Sequence, residues 1–575
     1  MRTVRDGSLA LAPASGDMTK LRSLTGAGDF MLLLLLTLVV AVTRLPLAGD
    51  YLFSFEAVNL ALGIEYFDLH LHQPHPPGYP AFIVQARILK SFLPSTEDAL
   101  FLCGFAATLA ATLLLYRFGE RVFSRSVGFT AAVLLALSPV FWHASLASPS
   151  RPYLAAVAVL VACLSHRAAG GEPRFAYYSA IALGIGAGWQ PSVLVTLAPF
   201  WLLCTWFGLR KLRRIALAIL LLAVATTAWL LPLTVVLGGP EEVYRCFTDY
   251  LRTKAGRVSP LYGAGHFAWW EMASQVFAWH VLMLAGWVWS TVLFLVKRPA
   301  GAATGGKLAS ALPAWLLGVV WAAPSLCLSL LLYAERPGQT LTVAPVFCLA
   351  GAVCLDRAAI RASSFLRSQQ VPRLAFLAVA IGINLLLFIL PSHMPGPHAV
   401  RGGWLSGVVE QIRFRGALAL YRTSRVHLEA VNLATSDRIH FLEALNGPPV
   451  RAVVWQDDDV SWRKIAYYFP SYPTWVLEGL SGSSSRRRPL LWLHKHLERV
   501  AEGDETYPIL VPDRGQLAWL LHPYSPLPAA LKSQGVPLCQ FGTMFLTDLK
   551  RAPQRFRAGP YVFQKTGAAE IQRSD

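Results

Sequence analysis

Charge is what this 575-residue sequence has least of: Asp, Glu, Lys and Arg make up only 15% of it, and acid is the scarcer sign, with 33 Asp and Glu against 51 Lys and Arg. So few charges cannot coat soluble domains of that total length. With 54% hydrophobic residues and a mean hydropathy of +0.45, the chain reads as a membrane protein. Charge is also missing from the interiors of the long apolar runs, where His280 is the clearest exception. Ionisable side chains in a bilayer are costly and mark ion or proton pathways, so their scarcity argues against an ion-coupled transporter. The eight cysteines include no CxxC pair and no zinc-finger spacing. Cys103, Cys163, Cys204, Cys327, Cys348 and Cys354 fall within apolar runs, where a thiol is a small packing residue. Cys246 and Cys539 lie on the expected outer side; an oxidising compartment would allow them to pair, but sequence supplies no geometry for a bridge. The formal charge of +18 does not imply nucleic acid, which requires cations gathered on one wet face. Here short basic clusters separate apolar runs, the pattern of membrane topology.

What the chain has in abundance is those runs. Residues 30–48 approach the ~20 apolar residues that cross a bilayer as a helix. The run is longer than a signal-peptide core and has no convincing small-x-small cleavage site, so it is read as an uncleaved first span after a cytoplasmic tail, 1–29. Further runs at about 99–117, 127–143, 152–166, 175–190, 191–209, 214–237, 272–296, 309–332, 339–355 and 373–391 predict roughly eleven spans. With the N-terminus inside, five basic groups fall in cytoplasmic connections, as cations prefer. These are Arg117, Arg121 and Arg125; Arg167 and Arg174; Arg210, Lys211, Arg213 and Arg214; Lys297, Arg298 and Lys307; and Arg357, Arg361, Arg367 and Arg373. The odd count places 393–575 outside. Apolar stretches at 450–455, 474–477, 490–493 and 509–511, alternating with a helix-like segment at 460–468, predict a small α/β domain there. The expected architecture is therefore mainly α, a polytopic transmembrane core over 30–392 with a long first outer loop, 49–98, and an extracytoplasmic α/β domain over 393–575.

That first loop is the most informative stretch. Asp50 can cap its entry, and Ser54 can cap a short helix whose apolar face is Phe55, Val58 and Leu62. Glu56 then sits in the first turn, where the helix dipole favours a negative charge. It reads either as an N-terminal glutamate on an interfacial helix or as a general base toward a hydroxyl. His75-Pro-Pro-Gly-Tyr-Pro80 is a rigid bend, followed by a second amphipathic helix over 81–93 on which Arg87 and Lys90 share a face. Either the prolines merely separate two segments while the cations snorkel to headgroups, or the bend sets His75 and Asp68 over a site with cations near a lipid phosphate. His70 and His72 would share a face in an extended strand, but with His75 they lack a fourth ligand and zinc spacing, so no metal ligand is assigned.

Arg44 at the end of the first span, an acid on a short helix, Phe67-Asp68 and Gln73-Pro-His-Pro-Pro-Gly-Tyr-Pro80 together resemble the first outer loop of the GT-C superfamily of polytopic glycosyltransferases. That superfamily includes the dolichyl-phosphate-mannose protein mannosyltransferases and the bacterial aminoarabinose and RgtA/B/C/D-like transferases. The resemblance continues more weakly through Ser138-Pro-Val-Phe-Trp142 and Gly188-Trp-Gln-Pro-Ser192. Arg336-Pro-Gly-Gln-Thr-Leu-Thr-Val-Ala-Pro345 is similar to the family's late loop near the lipid-donor site. The likeness covers roughly residues 30–390. It implies a GT-C-like core in a bacterial plasma membrane, a polyprenyl-phosphate sugar donor, and a catalytic base in the first outer loop, which matches Glu56. The family's acid is usually aspartate, often in an Asp-Glu pair; this chain has Phe55-Glu56, one methylene longer.

On that resemblance an acceptor hydroxyl loses its proton to Glu56 and attacks the anomeric carbon with inversion, while the departing phosphate is met by cations or a metal. Arg336, with Gln339 in the same loop, is the first candidate for the phosphate, followed by Arg87, Lys90 and Arg151; headgroup snorkelling is the competing role for each arginine. Arg44, Asp50 and His75 complete the candidate substrate-binding set. Asp68 is placed to orient the base or help to hold a divalent ion, but one carboxylate and a histidine are too few to define a cofactor site. The implied partners are a polyprenyl-phosphate sugar lipid, a glycan, lipid or protein acceptor, and the membrane, with no nucleic acid. Two other classes remain: a transporter or flippase of lipid-linked glycan, which needs a polar central cavity, and an inactive relative that binds glycan. In the tail, Trp455-Gln-Asp-Asp-Asp-Val-Ser-Trp462 reads as a polar loop and helix cap or as a sugar contact, and 481–488 as a basic turn against anionic lipid.

Overall fold

The computed structural model describes residues 18–256, 258–263, 265–284, 314–332, 334, 336–366, 370–391, 393–395, 404–445, 450–456, 462–470, 472, 474–477, 490–493, 496–499, 508–521, 525–559 and 561–566. The basic loop 297–307, the acids Asp457 to Asp459 and the run 481–488 lie outside the described residues. In chain order the helices are α1 (Met18–Arg44), α2 (Phe55–Glu65), α3 (Pro80–Lys90), α4 (Thr96–Val122), α5 (Arg125–Ala136), α6 (Pro139–Ala147), α7 (Pro152–Ala169), α8 (Arg174–Trp189), α9 (Ser192–Leu209), α10 (Leu212–Val236), α11 (Pro240–Ala255), α12 (His266–Leu284), α13 (Ala314–Leu331), α14 (Ala344–Leu366), α15 (Gln370–Ile389), α16 (Trp404–Arg422), α17 (Arg425–Ala444), α18 (Trp462–Tyr468) and α19 (Leu527–Lys532).

Among the described residues six helices are long and apolar enough to cross a membrane: residues 28–47, α4, α7, α9, α10 and α15. This is a membrane protein; of the roughly eleven spans expected, those at 272–296 and 309–332 run partly outside the described residues, and three others depart for reasons local to each run. The run 127–143 breaks at Leu137–Ser138 into α5 and α6, which meet at a 53° bend. Pro139 lacks an N–H and disfavours a helical Ser138 before it, so the run cannot continue straight. Helix α8 has 16 residues, short of a full crossing, and α14 carries Asp356, Arg357 and Arg361. Of the six, α7 is the most enclosed and α1 and α10 the least. Leu220, Val224 and Leu231 of α10 are accordingly exposed to what would be lipid. The core interlocks α4, α5, α7, α8 and α9 through Leu115, Leu134, Val157, Leu183 and Leu197.

The C-terminal region is built as an α/β unit. Its strands are β1 (Val450–Gln456), β2 (Thr474–Leu477), β3 (Leu490–Leu493), β4 (His496–Arg499), β5 (Ile509–Pro512), β6 (Gln516–Leu520), β7 (Cys539–Phe541), β8 (Met544–Asp548), β9 (Arg555–Ala558) and β10 (Tyr561–Thr566). Seven form one sheet in the order β4-β3-β2-β1-β6-β8-β7, and three form another in the order β5-β10-β9. Strand β1 runs parallel to both neighbours, β2 and β6. A parallel step needs a crossover connection, and α18 supplies it between β1 and β2. Trp519, Phe556 and Phe563 are buried in the core beneath. Cys246 and Cys539 are both free thiols.

Candidate active site

The site grows from the N-terminal end of α2. Ser54 caps the helix, its Oγ accepting the Ala57 N–H at 3.1 Å. The helix does not lie at an interface with one apolar face down: every residue from Glu56 to Ile64 is buried, while Phe55 is half-buried. Tyr79, Phe82 and Ile83 of the following bend and helix pack against it, with Leu100 and Cys103 of α4 and Tyr467 of α18. Close approach of the bend depends on Gly63, where a Cβ would sit 2.5 Å from Pro74 Cδ. The bonds Gln73–Pro74 and Pro76–Pro77 are cis.

Within this enclosure Glu56 is 4% exposed, and both carboxylate oxygens are engaged by the residues that precede α7. Oε2 accepts Arg151 Nε at 2.9 Å and Arg151 Nη2 at 2.7 Å, and Oε1 accepts the Ser150 hydroxyl. Ser150 is held in turn by Gln190, whose Nε2 donates to its Oγ at 2.8 Å and to its carbonyl at 3.0 Å. The carboxylate thus sits at the start of two helices, α2 and α7, where both dipoles favour a negative charge. Burial alone would raise its pKa; Arg151 and the Ser150 hydrogen bond outweigh burial and hold it below the ordinary glutamate value. His75, 7% exposed, lies in electrostatic range of the Glu56–Arg151 pair. Its Nε2 is 2.8 Å from the Tyr79 hydroxyl and its ring stacks on Tyr250 of α11 at 5.8 Å. Among the described residues its buried Nδ1 has no hydrogen-bond partner. Burial, aided by Arg151, Lys254 and His72, overrides the pull of Glu56 and pushes the imidazole down to about 3, so it is neutral at physiological pH.

The late loop reaches the same place. Arg336 precedes the tight turn Pro337–Thr340, and Gln339 Oε1 accepts the Arg336 N–H at 3.3 Å. A Cβ at Gly338 would lie 2.9 Å from Arg151 Cγ, so only glycine lets the turn press on the arginine that grips Glu56. Residues 56, 75, 151 and 336–339, far apart in sequence, therefore share one neighbourhood. The other sequence candidates are engaged differently. Arg87 donates to the carbonyls of Gly63 at 3.1 Å and Ile64 at 2.8 Å, and Lys90 pairs with Glu65 at 3.6 Å. Both cations thus tie α3 to the carbonyl end of α2, where cations are favoured. Asp68 Oδ1 accepts the N–H groups of His70 at 2.8 Å and Leu71 at 3.3 Å, turning its own loop. Asp50 is exposed. Arg44 is 1% exposed, donates to the Ala136 carbonyl at 2.6 Å and lies 5.2 Å from the Trp142 ring, which braces the bend between α5 and α6. His70 meets Cys246, whereas His72 and His75 both meet the Tyr250 ring and His75 also meets Tyr79. Asp68 is used on its own backbone and Glu56 on Arg151 and Ser150, and among the described residues no three His, Cys, Asp or Glu side chains gather into a set that could hold a metal ion. Ser150, Tyr250 and Arg463 were not singled out by sequence, and Gln190 stood inside the segment 188–192 with no role given to it. Ser150 adjoins Arg151; Tyr250 and Arg463 had no local signal.

A buried ionised acid under an arginine fork lies beside a neutral imidazole at one end of the helical bundle, and the bundle has the GT-C fold. The solved structure of ArnT from Cupriavidus metallidurans bound to undecaprenyl phosphate is similar, at 12% identity and TM-score 0.54 over 92% of this chain and 99% of that one. The same protein in the apo state gives 12% identity and TM-score 0.53 over 92% and 100%. The archaeal oligosaccharyltransferase AglB from Archaeoglobus fulgidus, in complex with an inhibitory peptide and a dolichol-phosphate, gives 11% identity and TM-score 0.35 over 77% and 63%. No protein-family model and no curated protein sequence matches the chain.

Proposed function

We propose that this protein is a membrane glycosyltransferase that moves a sugar from a polyprenyl-phosphate donor to an acceptor hydroxyl on the outer face of a bacterial plasma membrane. The observation that carries the reading is Glu56 itself: a buried, ionised carboxylate at two helix N-termini, gripped by Arg151, in a fold like that of ArnT. In the reaction the acceptor O–H gives its proton to Glu56. The oxygen attacks the anomeric carbon from the face opposite the phosphate, and the carbon–oxygen bond to phosphate breaks with its electron pair leaving on the polyprenyl phosphate. Arg151 and Arg336 meet that charge. A donor phosphate competes with Glu56 for Arg151, so the carboxylate becomes a stronger base once donor is bound. His75, neutral, offers its free Nδ1 to a substrate oxygen or hydroxyl. The N-terminus is cytoplasmic and the α/β region extracytoplasmic.

Glu56→Gln keeps the size and loses the proton acceptor. It is expected to abolish transfer of labelled sugar while expression and membrane insertion persist; full transfer by this variant would sink the assignment. Mass spectrometry of envelope lipids, glycans and proteins with and without the protein identifies the missing sugar residue.

A further inference from the structure

Helix α18 belongs to the C-terminal α/β region, yet it supplies contacts that fix the loop carrying Glu56 and His75. Arg463 is 3% exposed. Its Nη1 donates to Asn59 Oδ1 at 2.8 Å and to the His72 carbonyl at 3.0 Å, and its Nη2 donates to the Leu71 carbonyl at 2.8 Å. The guanidinium carbon lies 5.3 Å from the centre of the Phe55 ring. Phe55 and Asn59 bracket Glu56 on α2, and Leu71 and His72 lead into Gln73, Pro74 and His75. One side chain therefore holds both halves of the loop. The neighbouring residues repeat the pattern: Lys464 lies 5.8 Å from the Phe53 ring, and the Tyr468 hydroxyl accepts the Leu52 N–H at 2.9 Å.

A guanidinium is suited to this task because its planar fork presents several donors in fixed directions, which a lysine ammonium does not. Burying it is costly unless such bonds are made, and it makes three to the first outer loop. Asn59 is itself 0% exposed, and among the described residues its Nδ2 has no hydrogen-bond partner, so the amide is oriented by what it accepts from Arg463. We propose that Arg463 is a positioning residue for the transfer reaction. Its guanidinium clamps α2 to the 71–72 backbone and so sets the distance between Glu56 and His75, which makes the α/β region part of the catalytic unit rather than an appended module. This rests on the reading of Glu56 as the base.

The test compares Arg463→Ala, Arg463→Lys, Asn59→Ala and the double Ala variant in the full-length protein, with kcat and donor KM measured separately and hydrogen–deuterium exchange followed along the chain. Misplacing a base by an ångström costs about a hundredfold in rate. Arg463→Ala is expected to lower kcat by about ten- to a hundredfold with little change in donor KM. Exchange should rise over 55–75 and not elsewhere. Arg463→Lys should recover part of the rate, and the double variant should be no slower than Arg463→Ala, since both changes break one clamp. Wild-type kcat in Arg463→Ala, additive losses in the double variant, or exchange that rises throughout the chain would each overturn the proposal. If Arg463→Ala fails to insert, Arg463→Lys and Asn59→Ala carry the test by the same criteria: local exchange and a kcat loss support the clamp, and their absence overturns it. The two readings fail separately. Transfer by Glu56→Gln removes the base and leaves exchange over 55–75 to judge the clamp, whereas unchanged exchange in Arg463→Ala removes the clamp and leaves the base.

Discussion

Arg151 determines what Glu56 can do, because a buried carboxylate is ionised only while its cation is present. Removing one partner of a buried pair leaves an uncompensated charge, at a cost of about 3 to 5 kcal/mol. Arg151→Gln is therefore expected to lower thermal stability in detergent, and it also shifts the proton equilibrium. With Arg151 in place the Glu56 pKa is depressed below 4.5, so the stability from the pair is present above the ordinary glutamate range and is lost only as pH falls through the lower folded value. The acid limb of kcat/KM in the wild type, which reports the donor-free enzyme, should accordingly lie below pH 4.5. In Arg151→Gln burial dominates, the Glu56 pKa rises, and the acid limb should move to higher pH; a limb that stays in place would show that Glu56 is not the titrating base. His75 makes a different prediction. With its imidazole pushed down to about 3 it stays neutral from pH 5 to 8, so no histidine ionisation should appear in the profile there. His75→Asn is expected to weaken substrate binding without adding or removing a pH limb.

Elements bring these residues together, and here glycine decides more than charge does. The turn Pro337–Thr340 touches Arg151 only because position 338 has no side chain: a Cβ would meet Arg151 Cγ at 2.9 Å and Ala144 Cβ at 3.1 Å. Gly338→Ala must push the late loop away from the arginine or the arginine away from Glu56, an overpacking cost of about 1 to 3 kcal/mol. The expected result is a fall in kcat that exceeds the effect of the same change at Gly382, where a Cβ would meet none of the described residues within 4 Å. Equal losses at the two positions, read in the same transfer assay, would remove the late loop from the site. The elements were legible in sequence where the signal was local. The Ser54 cap, the acid two residues on, the Pro-rich bend and the four strands at 450–455, 474–477, 490–493 and 509–511 all appear where side-chain type and spacing put them. What spacing could not supply was the use of each side chain. Arg87 and Lys90 share a face, as their spacing requires, but that face meets the end of α2. Arg463 carries no signature in its own segment, since its meaning lies in α2.

At the scale of the whole molecule the few acids and many bases acquire a direction. Glu56, the late loop and α18 gather at one end of the bundle. At the ends of α4 and α7 remote from that site, Arg117 and Arg125 pair with Asp29, and Arg167 pairs with Glu172. Helix α4 alone, 27 residues at a rise of about 1.5 Å each, separates the two ends by roughly 40 Å. Cations near membrane ends prefer the cytoplasm, so the end with Arg121, Arg167 and Arg210 should be inside and the Glu56 end outside. Cys539 on β7 is exposed and free, which makes it a reporter of the α/β region. In a Cys246→Ser background, a membrane-impermeant thiol reagent applied to intact cells should label Cys539. A cysteine placed at Lys211, between α9 and α10, should react only after the membrane is opened. The reverse pattern would put Glu56 on the cytoplasmic face, where an extracytoplasmic acceptor cannot reach it, and would remove outer-face transfer whatever the activity of the site.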